Sequence, residues 1–342
     1  MMSADKALVA NLHSFKKPQS NQLKISKIMQ NKVAIVFPGQ GSQAVGMGKD
    51  LSDNFAAARE VFQITDEILG VNLSKIMFEG PSEELTKTEN TQPALMAVSI
   101  ALVRVLEKEF GKKFSDLCAM TAGHSLGEYS ALCAASSISL EETAKLLHVR
   151  GSAMARCGQK TSGSMAALLG VDADVAQEIA AQAAQGEVCQ VANDNCVGQI
   201  VISGSKDAIT RAVEIAKTKG AKRAIVLPVS GAFHSALMLD AQNEMKQALA
   251  TAQIKAPTVP LVANVTANLV GSGDEIRDLL AKQVTGSVRW RETMLFMASQ
   301  GIEEIIEIGS GKVLAGLVAK TCPNLKARSI QNSQDIKEFL SL

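Results

Sequence analysis

Short apolar runs alternate with longer amphipathic stretches along most of the chain after residue 31. The runs 32–37 and 117–122 are six residues long and are followed by proline and glycine, which is typical of buried strands. Between them, 51–69 and 91–106 repeat apolar positions with a helical period, and Pro93 stands in the first turn of the second helix. Strands that alternate with helices predict a parallel sheet with helices on both faces.

The same alternation returns after residue 230. It predicts strands at 260–264 and 303–308 and helices at 236–251, 274–284 and 291–298. This part of the chain therefore belongs to the same type of α/β domain as the first part.

The segment between these two parts has a different rhythm. It predicts strand, helix, strand, strand, helix and strand at 164–170, 172–184, 187–193, 199–204, 206–219 and 223–229. That order is the βαββαβ pattern of a ferredoxin-like unit. We therefore expect a small ferredoxin-like subdomain at 161–229, inserted into a large domain made of 31–160 and 230–342. Residues 1–30 are polar without a sustained period and predict a disordered extension.

Composition and charge narrow the possible classes of protein. The chain has 342 residues, of which 46% are hydrophobic and 20% charged, with a formal net charge of +1. This length supports a large core, and the balanced charge gives no reason to expect nucleic acid as a partner. No apolar run has the length of a membrane span. The six cysteines are scattered without a metal-binding spacing, which predicts reduced thiols in a cytoplasmic protein without a metal site.

Residues 123–127 read Gly-His-Ser-Leu-Gly and match G-x-S-x-G. A predicted strand precedes this motif and an Ala- and Leu-rich helical pattern follows it, which is the context of a nucleophile elbow. Ser125 is the candidate nucleophile of a large α/β-hydrolase-like domain, and the backbone N–H of Leu126 would face the oxygen of a bound acyl group. The alternative is that the motif marks an ordinary loop.

A serine hydroxyl needs a base, and the chain has four histidines. His13 lies in the polar extension, and His148 lies among leucines in a helical pattern. His124 adjoins the candidate nucleophile, but neighbouring side chains diverge at a turn, so it is a supporting residue at most. His234 follows a predicted strand in a loop and is the candidate base, with a helix-capping histidine as the alternative. No single acid stands out as a third member, so a carbonyl oxygen could orient the histidine.

The first strand leads into a glycine-rich loop at 39–44, which matches G-x-G-x-x-A. The match raises the alternative of a dinucleotide site. The second strand with an acidic end that such a site requires is missing, because 51–69 is helical. The loop could instead place the backbone amide of Gln40 beside the reacting centre.

Several motifs occur together in one order: 37–43, 123–129, Arg150 in the helical pattern 141–156, 193–195 before Gly198-Gln199, and Phe233-His234. Together they resemble the malonyl-CoA:acyl carrier protein transacylase family of bacterial fatty-acid synthesis. The resemblance runs from about residue 32 to near the C-terminus.

The resemblance implies a role for each matching residue. Ser125 would carry the malonyl group as an ester, and His234 would be its base. The backbone amides of Gln40 and Leu126 would form the oxyanion hole.

The resemblance also assigns the binding and supporting residues. Arg150 would pair with the free carboxylate of malonate, whereas an arginine in a helix otherwise faces solvent or neutralises a neighbouring charge. The carbonyl of Gln283 would orient the catalytic histidine. Three further residues would support the site: His124, Asn193 and Phe233.

The implied reaction is a transfer in two half-reactions at one serine, which predicts ping-pong kinetics. The partners would be malonyl-CoA and an acyl carrier protein, the enzyme would be a monomer, and no metal or bound cofactor would take part. Two alternatives remain open: a serine hydrolase that passes the acyl group to water, and a noncatalytic module that binds carrier protein.

Overall fold

The computed structural model describes residues 32–341, and the predicted extension at 1–30 lies outside the described residues. The strands are β1 (Val33–Phe37), β2 (Met120–Gly123), β3 (Gly163–Leu169), β4 (Cys189–Cys196), β5 (Gln199–Ser205), β6 (Arg223–Val226), β7 (Leu261–Val262), β8 (Leu269–Val270), β9 (Glu304–Ile308) and β10 (Lys326–Ile330).

The α-helices of the first half are α1 (Lys49–Asn54), α2 (Ala56–Leu69), α3 (Leu73–Glu79), α4 (Ser82–Thr86), α5 (Thr88–Phe110), α6 (Gly127–Ala134) and α7 (Leu140–Thr161). Those of the second half are α8 (Ala173–Ala184), α9 (Lys206–Thr218), α10 (Leu239–Thr251), α11 (Gly273–Gln283), α12 (Trp290–Ser299), α13 (Val313–Thr321) and α14 (Ser333–Leu340). Within 32–341, no helix combines the length and apolar character needed to cross a bilayer.

The large sheet has the strand order β10-β9-β1-β2-β7-β8. Every neighbouring pair is parallel except β7 and β8, which are antiparallel. In the centre, Val36 of β1 pairs with Ala122 of β2 on one side and with Glu307 of β9 on the other. All five residues of β1 are buried, because helices cover both faces of the sheet. The structure confirms the predicted mixed α/β architecture with a mainly parallel sheet.

The second sheet has four strands in the order β4-β5-β3-β6, and all three neighbouring pairs are antiparallel. Helices α8 and α9 pack against it through a core of small and aliphatic side chains, which includes Leu168, Ile179 and Ile202. Strand β4 also contacts the segment just before α12. Asp194 N donates to Val288 O at 3.0 Å and Val288 N donates to Ala192 O at 2.8 Å, which forms a parallel bridge. Arg291 pairs with the Asp194 carboxylate at 2.8 Å.

The structure differs from the predicted elements at several places. The helical pattern at 51–69 is broken at Phe55, which is extended with φ −130° and ψ 120°, so two helices form. The predicted strand at 260–264 shortens to β7. Strand β10 was not predicted, since Lys326–Ile330 is a partly exposed strand at the sheet edge whose residues Lys-Ala-Arg-Ser-Ile form no apolar run.

Candidate active site

The turn from β2 to α6 places Ser125 at the carboxyl end of the parallel sheet. Ser125 has φ 54°, a left-handed conformation that costs a non-glycine residue about 1–3 kcal/mol. The two motif glycines make the turn possible. A Cβ on Gly123 would lie 1.8 Å from the carbonyl oxygen of Gly127, and one on Gly127 would lie 2.4 Å from the carbonyl oxygen of Phe37.

Two side chains hold the peptide groups of this strained serine. Ser125 N donates to Asn264 Oδ1 at 2.7 Å, and Gln283 Nε2 donates to Ser125 O at 2.9 Å. Asn264 Nδ2 in turn donates to Gly123 O at 2.7 Å. Sequence reasoning missed Asn264. Its signal was its place just after the apolar run of β7, because polar residues beyond the carboxyl ends of parallel strands gather at one edge of the sheet.

Ser125 and His234 are in direct contact. Ser125 Oγ lies 2.8 Å from His234 Nε2, and His234 Nδ1 lies 2.8 Å from the carbonyl oxygen of Gln283. A carbonyl can only accept, so it favours the tautomer with the proton on Nδ1 and leaves Nε2 free to take a proton from the serine. Burial, with a further contribution from the positive charge of Arg150, lowers the pKa of His234 to about 3. The imidazole is therefore neutral near pH 7 and can act as a base.

Arg150 on α7 points into the same site and is only 1% exposed. Its Nη1 donates to Gln92 Oε1 at 2.7 Å, and its Nη2 donates to Gln283 Oε1 at 2.8 Å and to Ser125 Oγ at 3.1 Å. Its Nε is buried without a partner, and no carboxylate among residues 32–341 forms a salt bridge with it. The solvent-facing alternative for Arg150 is thus excluded. A buried guanidinium without a carboxylate is suited to bind an anionic ligand.

A chain of polar side chains connects this arginine with the glycine-rich loop after β1. Gln92 Nε2 donates to Thr88 Oγ1 at 3.3 Å, and Thr88 Oγ1 donates to Gln40 Oε1 at 2.7 Å. The backbone amides of Gln40 and Leu126 donate to no protein acceptor among the described residues, so both are available to a ligand oxygen. Sequence reasoning missed the contributions of Gln92 and Thr88, which lie on α5.

The glycine-rich loop packs against the elbow. A Cβ on Gly39 would lie 2.7 Å from the carbonyl oxygen of His124, so this position needs glycine for a close backbone approach. That approach accounts for the first glycine of the G-x-G-x-x-A match without a dinucleotide. Among residues 32–341, no group of three or more His, Cys, Asp or Glu side chains is placed to hold a metal ion.

His124, the first of the residues expected to support the site, contacts two other side chains. Its Nε2 lies 2.9 Å from Asn195 Oδ1, and its ring meets Trp290 edge-on with 5.6 Å between centroids. Asn193 is buried and reaches Val288 through a backbone bridge, but its side chain forms no hydrogen bond within the described part of the chain. The contact with His124 comes from Asn195, two residues further on. The register shifts of β4 between Val191 and Cys196 decide which side chains face the elbow.

Phe233, the third residue expected to support the site, directly precedes the base and is 6% exposed. Like Ser125, His234 itself has a left-handed backbone, with φ 55°. The aromatic ring of Phe233 belongs to the core cluster that also contains residues of β1, α5 and α7. Its burial anchors the strained loop that presents the imidazole.

Comparison with known proteins places this chain among acyltransferases. The family described as "Acyl transferase domain" matches residues 34–337. A malonyl CoA-acyl carrier protein transacylase of Bacillus subtilis (strain 168) is 43% identical over 308 residues, which cover 90% of this chain and 96% of the relative.

Solved structures agree with this comparison. An acyl-carrier-protein-S-malonyltransferase from Bartonella henselae is 50% identical with a TM-score of 0.88, covering 91% of this chain and 100% of that one. A malonyl-transacylase in complex with its type II polyketide synthase acyl-carrier protein is 37% identical with a TM-score of 0.87, covering 91% and 99% of the two chains.

Proposed function

The chain belongs to the acyl transferase family, and from that premise we propose that it transfers a malonyl group from malonyl-CoA to the phosphopantetheine thiol of an acyl carrier protein. The observation that carries the proposal is the position of Ser125 Oγ between two groups. It lies 2.8 Å from the neutral base His234 and 3.1 Å from the buried, carboxylate-free guanidinium of Arg150. A nucleophile beside an anion site suits an acyl group that carries its own carboxylate.

In the first half-reaction, Ser125 Oγ attacks the thioester carbonyl carbon while His234 Nε2 takes the hydroxyl proton. The backbone amides of Gln40 and Leu126 stabilise the oxyanion, and one such donor is worth about a hundred- to a thousandfold in rate. The tetrahedral intermediate collapses as the C–S bond breaks, and the imidazolium returns its proton to the CoA sulfur. The products are free CoA and a malonyl ester on Ser125.

In the second half-reaction, the thiol of the carrier protein enters the same site. His234 takes the thiol proton, the sulfur attacks the ester carbonyl, and the proton passes to Ser125 Oγ as the C–O bond breaks. The cycle restores the enzyme and supplies malonyl carrier protein for fatty-acid synthesis. We propose that it uses no metal and no bound cofactor, since each step needs only the serine, the histidine and the two amides.

We propose that Arg150 selects the malonyl group. A bidentate arginine–carboxylate pair fixes the position of the acyl chain, and the unpartnered Nε and the Nη2 group provide donors for it. An acetyl group would leave the buried guanidinium without an anion. The selectivity then comes from an unsatisfied charge as well as from a lost attraction.

We further propose that 161–229 is a ferredoxin-like subdomain inserted into an α/β-hydrolase-like large domain. The strand order β4-β5-β3-β6 and the antiparallel pairing support this proposal. We also propose a cytoplasmic monomer that has no nucleic-acid or membrane partner. All six cysteines are free thiols, which fits a reducing compartment.

Intact-mass spectrometry tests the proposed function directly. The protein is mixed with malonyl-CoA or acetyl-CoA beside a Ser125→Ala control, and carrier protein is added afterwards. We expect a malonyl adduct that needs Ser125, that is weak with acetyl-CoA, and that clears onto the carrier protein. Release of free malonate without a thiol acceptor at a rate matching transfer would indicate a hydrolase, and no reaction at all would indicate a binding module.

A further inference from the structure

Glu128 is a buried carboxylate that none of the proposed catalytic steps uses. It lies in the first turn of α6, three residues after the nucleophile, and is 2% exposed. No lysine or arginine within residues 32–341 forms a salt bridge with it. Burial raises its pKa to about 7, while hydrogen bonds from Gln283 and Asn264 and the charge of Arg150 act in the opposite direction. Burial of a carboxylate without a direct cation costs free energy, so hydrogen bonds have to stabilise it.

A single oxygen of this carboxylate accepts hydrogen bonds from both residues that hold the nucleophile, from the side chain of Gln283 and from the backbone of Asn264. Glu128 Oε2 accepts from Gln283 Nε2 at 2.7 Å and from Asn264 N at 3.2 Å. These are the two residues that bind the carbonyl oxygen and the amide of Ser125. The tethers that keep Ser125 at φ 54° therefore converge on one atom.

The same oxygen determines how the amide of Gln283 faces Arg150. Gln283 Nε2 donates to Glu128, so Gln283 Oε1 is turned toward Arg150 Nη2 and accepts from it at 2.8 Å. The opposite orientation of the amide would direct its NH₂ group at the guanidinium. Gln283 thus relays between a buried anion and a buried cation. The charge of Arg150 is compensated at a distance, and its Nε stays free.

An acidic residue in the first turn of a helix is ordinarily explained by the helix dipole. The hydrogen bonds of this carboxylate go instead to residues 136 and 155 positions away in the chain. The dipole alone does not account for those partners.

We propose that Glu128 is a positioning residue for acyl transfer, which acts through Gln283 and Asn264 to hold Arg150 ready for the malonyl carboxylate and Ser125 ready for attack. The role toward Arg150 rests on the proposed function. The role toward Ser125 does not depend on the acyl group.

Glu128→Gln tests this inference because it removes the charge and keeps the shape. Glu307→Gln is the matched control. Glu307 is also a buried carboxylate, and burial raises its pKa to about 7. It differs from Glu128 in its partner, because it accepts a hydrogen bond from the backbone amide of Ala315 at the start of α13. For folded Glu128→Gln we expect malonylation of Ser125 to slow ten- to a hundredfold, as for loss of a hydrogen bond to a charged group. Acetylation should slow at least threefold less than malonylation, and Glu307→Gln should stay within twofold of the unmutated chain. Equal losses for both acyl groups would overturn the role toward Arg150, and no loss for either would overturn the inference as a whole.

A double-mutant cycle tests whether Glu128 acts through Gln283. Gln283→Met removes the side-chain amide and leaves the backbone carbonyl that binds His234. We expect Glu128→Gln to slow malonylation less than threefold in the Gln283→Met background. Losses that multiply independently would refute the relay.

Two further measurements separate the possible failures. If the unmutated chain forms no malonyl adduct, the proposed function fails, but labelling of Ser125 by a fluorophosphonate still reports the nucleophile. That labelling should be slower in Glu128→Gln than in Glu307→Gln, and equal rates would refute the positioning of Ser125. If Glu128→Gln does not fold, NMR of the unmutated chain decides: we expect two separate, exchange-protected NH₂ protons for Gln283, and averaged or rapidly exchanging protons would overturn the inference.

Discussion

Replacement of Arg150 by alanine is the sharpest test of how this site chooses its acyl group. In the unmutated chain the guanidinium is 1% exposed and is held by Gln92 and Gln283 at 2.7 and 2.8 Å. Arg150→Ala would remove the only cation in contact with Ser125 Oγ among the described residues, while Ser125, His234 and the carbonyl of Gln283 remain.

The size of the effect follows from the bonds that a malonyl carboxylate would lose. Two charge-assisted hydrogen bonds are worth about 1.5–3 kcal/mol each, or about 3–6 kcal/mol together. We therefore expect kcat/KM for malonyl-CoA to fall by about two to four orders of magnitude. Acetyl-CoA has no carboxylate to lose, and the charge of Arg150 opposes protonation of His234. We expect acetyl transfer to change by less than about tenfold in either direction.

The assay is single-turnover acylation of Ser125, followed by intact mass with each CoA ester. Arg156→Ala is the matched control, because Arg156 lies on the same helix but is exposed and pairs with Glu244 at the surface. Surface pairs of this kind contribute about 1 kcal/mol or less, so both reactions should persist. Equal losses of malonyl and acetyl transfer in folded Arg150→Ala would refute the reasoning and would show that Arg150 has a structural role.

Two pH experiments test the buried titratable groups. Burial, together with the charge of Arg150 and a smaller contribution from His124, lowers the pKa of His234 to about 3. In Glu128→Gln, which removes the buried carboxyl whose pKa is about 7, kcat/KM should therefore stay flat from pH 8 to pH 5. A fall with an apparent pKa near the usual value for histidine would contradict this. Burial raises the pKa of Glu307 from 4.5 to about 7, so between these values the folded chain holds a proton that the unfolded chain has released. Stability should then decrease as the pH rises through that window, by up to about 3 kcal/mol for this group, and Tm should depend less on pH in Glu307→Gln; an unchanged pH dependence would show that the carboxylate is not titrating there.

The features that the sequence determined by itself are those with a local physical cause. Buried parallel strands need continuous apolar runs, so β1 and β2 were predictable, as was the mixed α/β class. The elbow was predictable because a left-handed serine between two crowded backbones requires glycine on both sides, and Gly123 and Gly127 meet that requirement within five residues. His234 was predictable as the base because, of the four histidines, it is the one in a loop that directly follows a predicted strand, which is where a catalytic histidine is expected.

The tertiary structure alone decided which distant polar residues meet. Asn264 lies 139 residues from Ser125 and Gln283 lies 155 residues from Glu128, and no local pattern marks such pairs. Asn264 meets Ser125 because the strand order brings the end of β7 beside the end of β2, and Gln283 reaches Glu128 from the last residue of α11. The register shifts in β4 likewise place Asn195 on His124, whereas Asn193 was the residue of this strand predicted to support the site. Periodicity indicates whether a side chain is buried, but its hydrogen-bond partner depends on which strands are neighbours and in what register, and that is a property of the folded sheet.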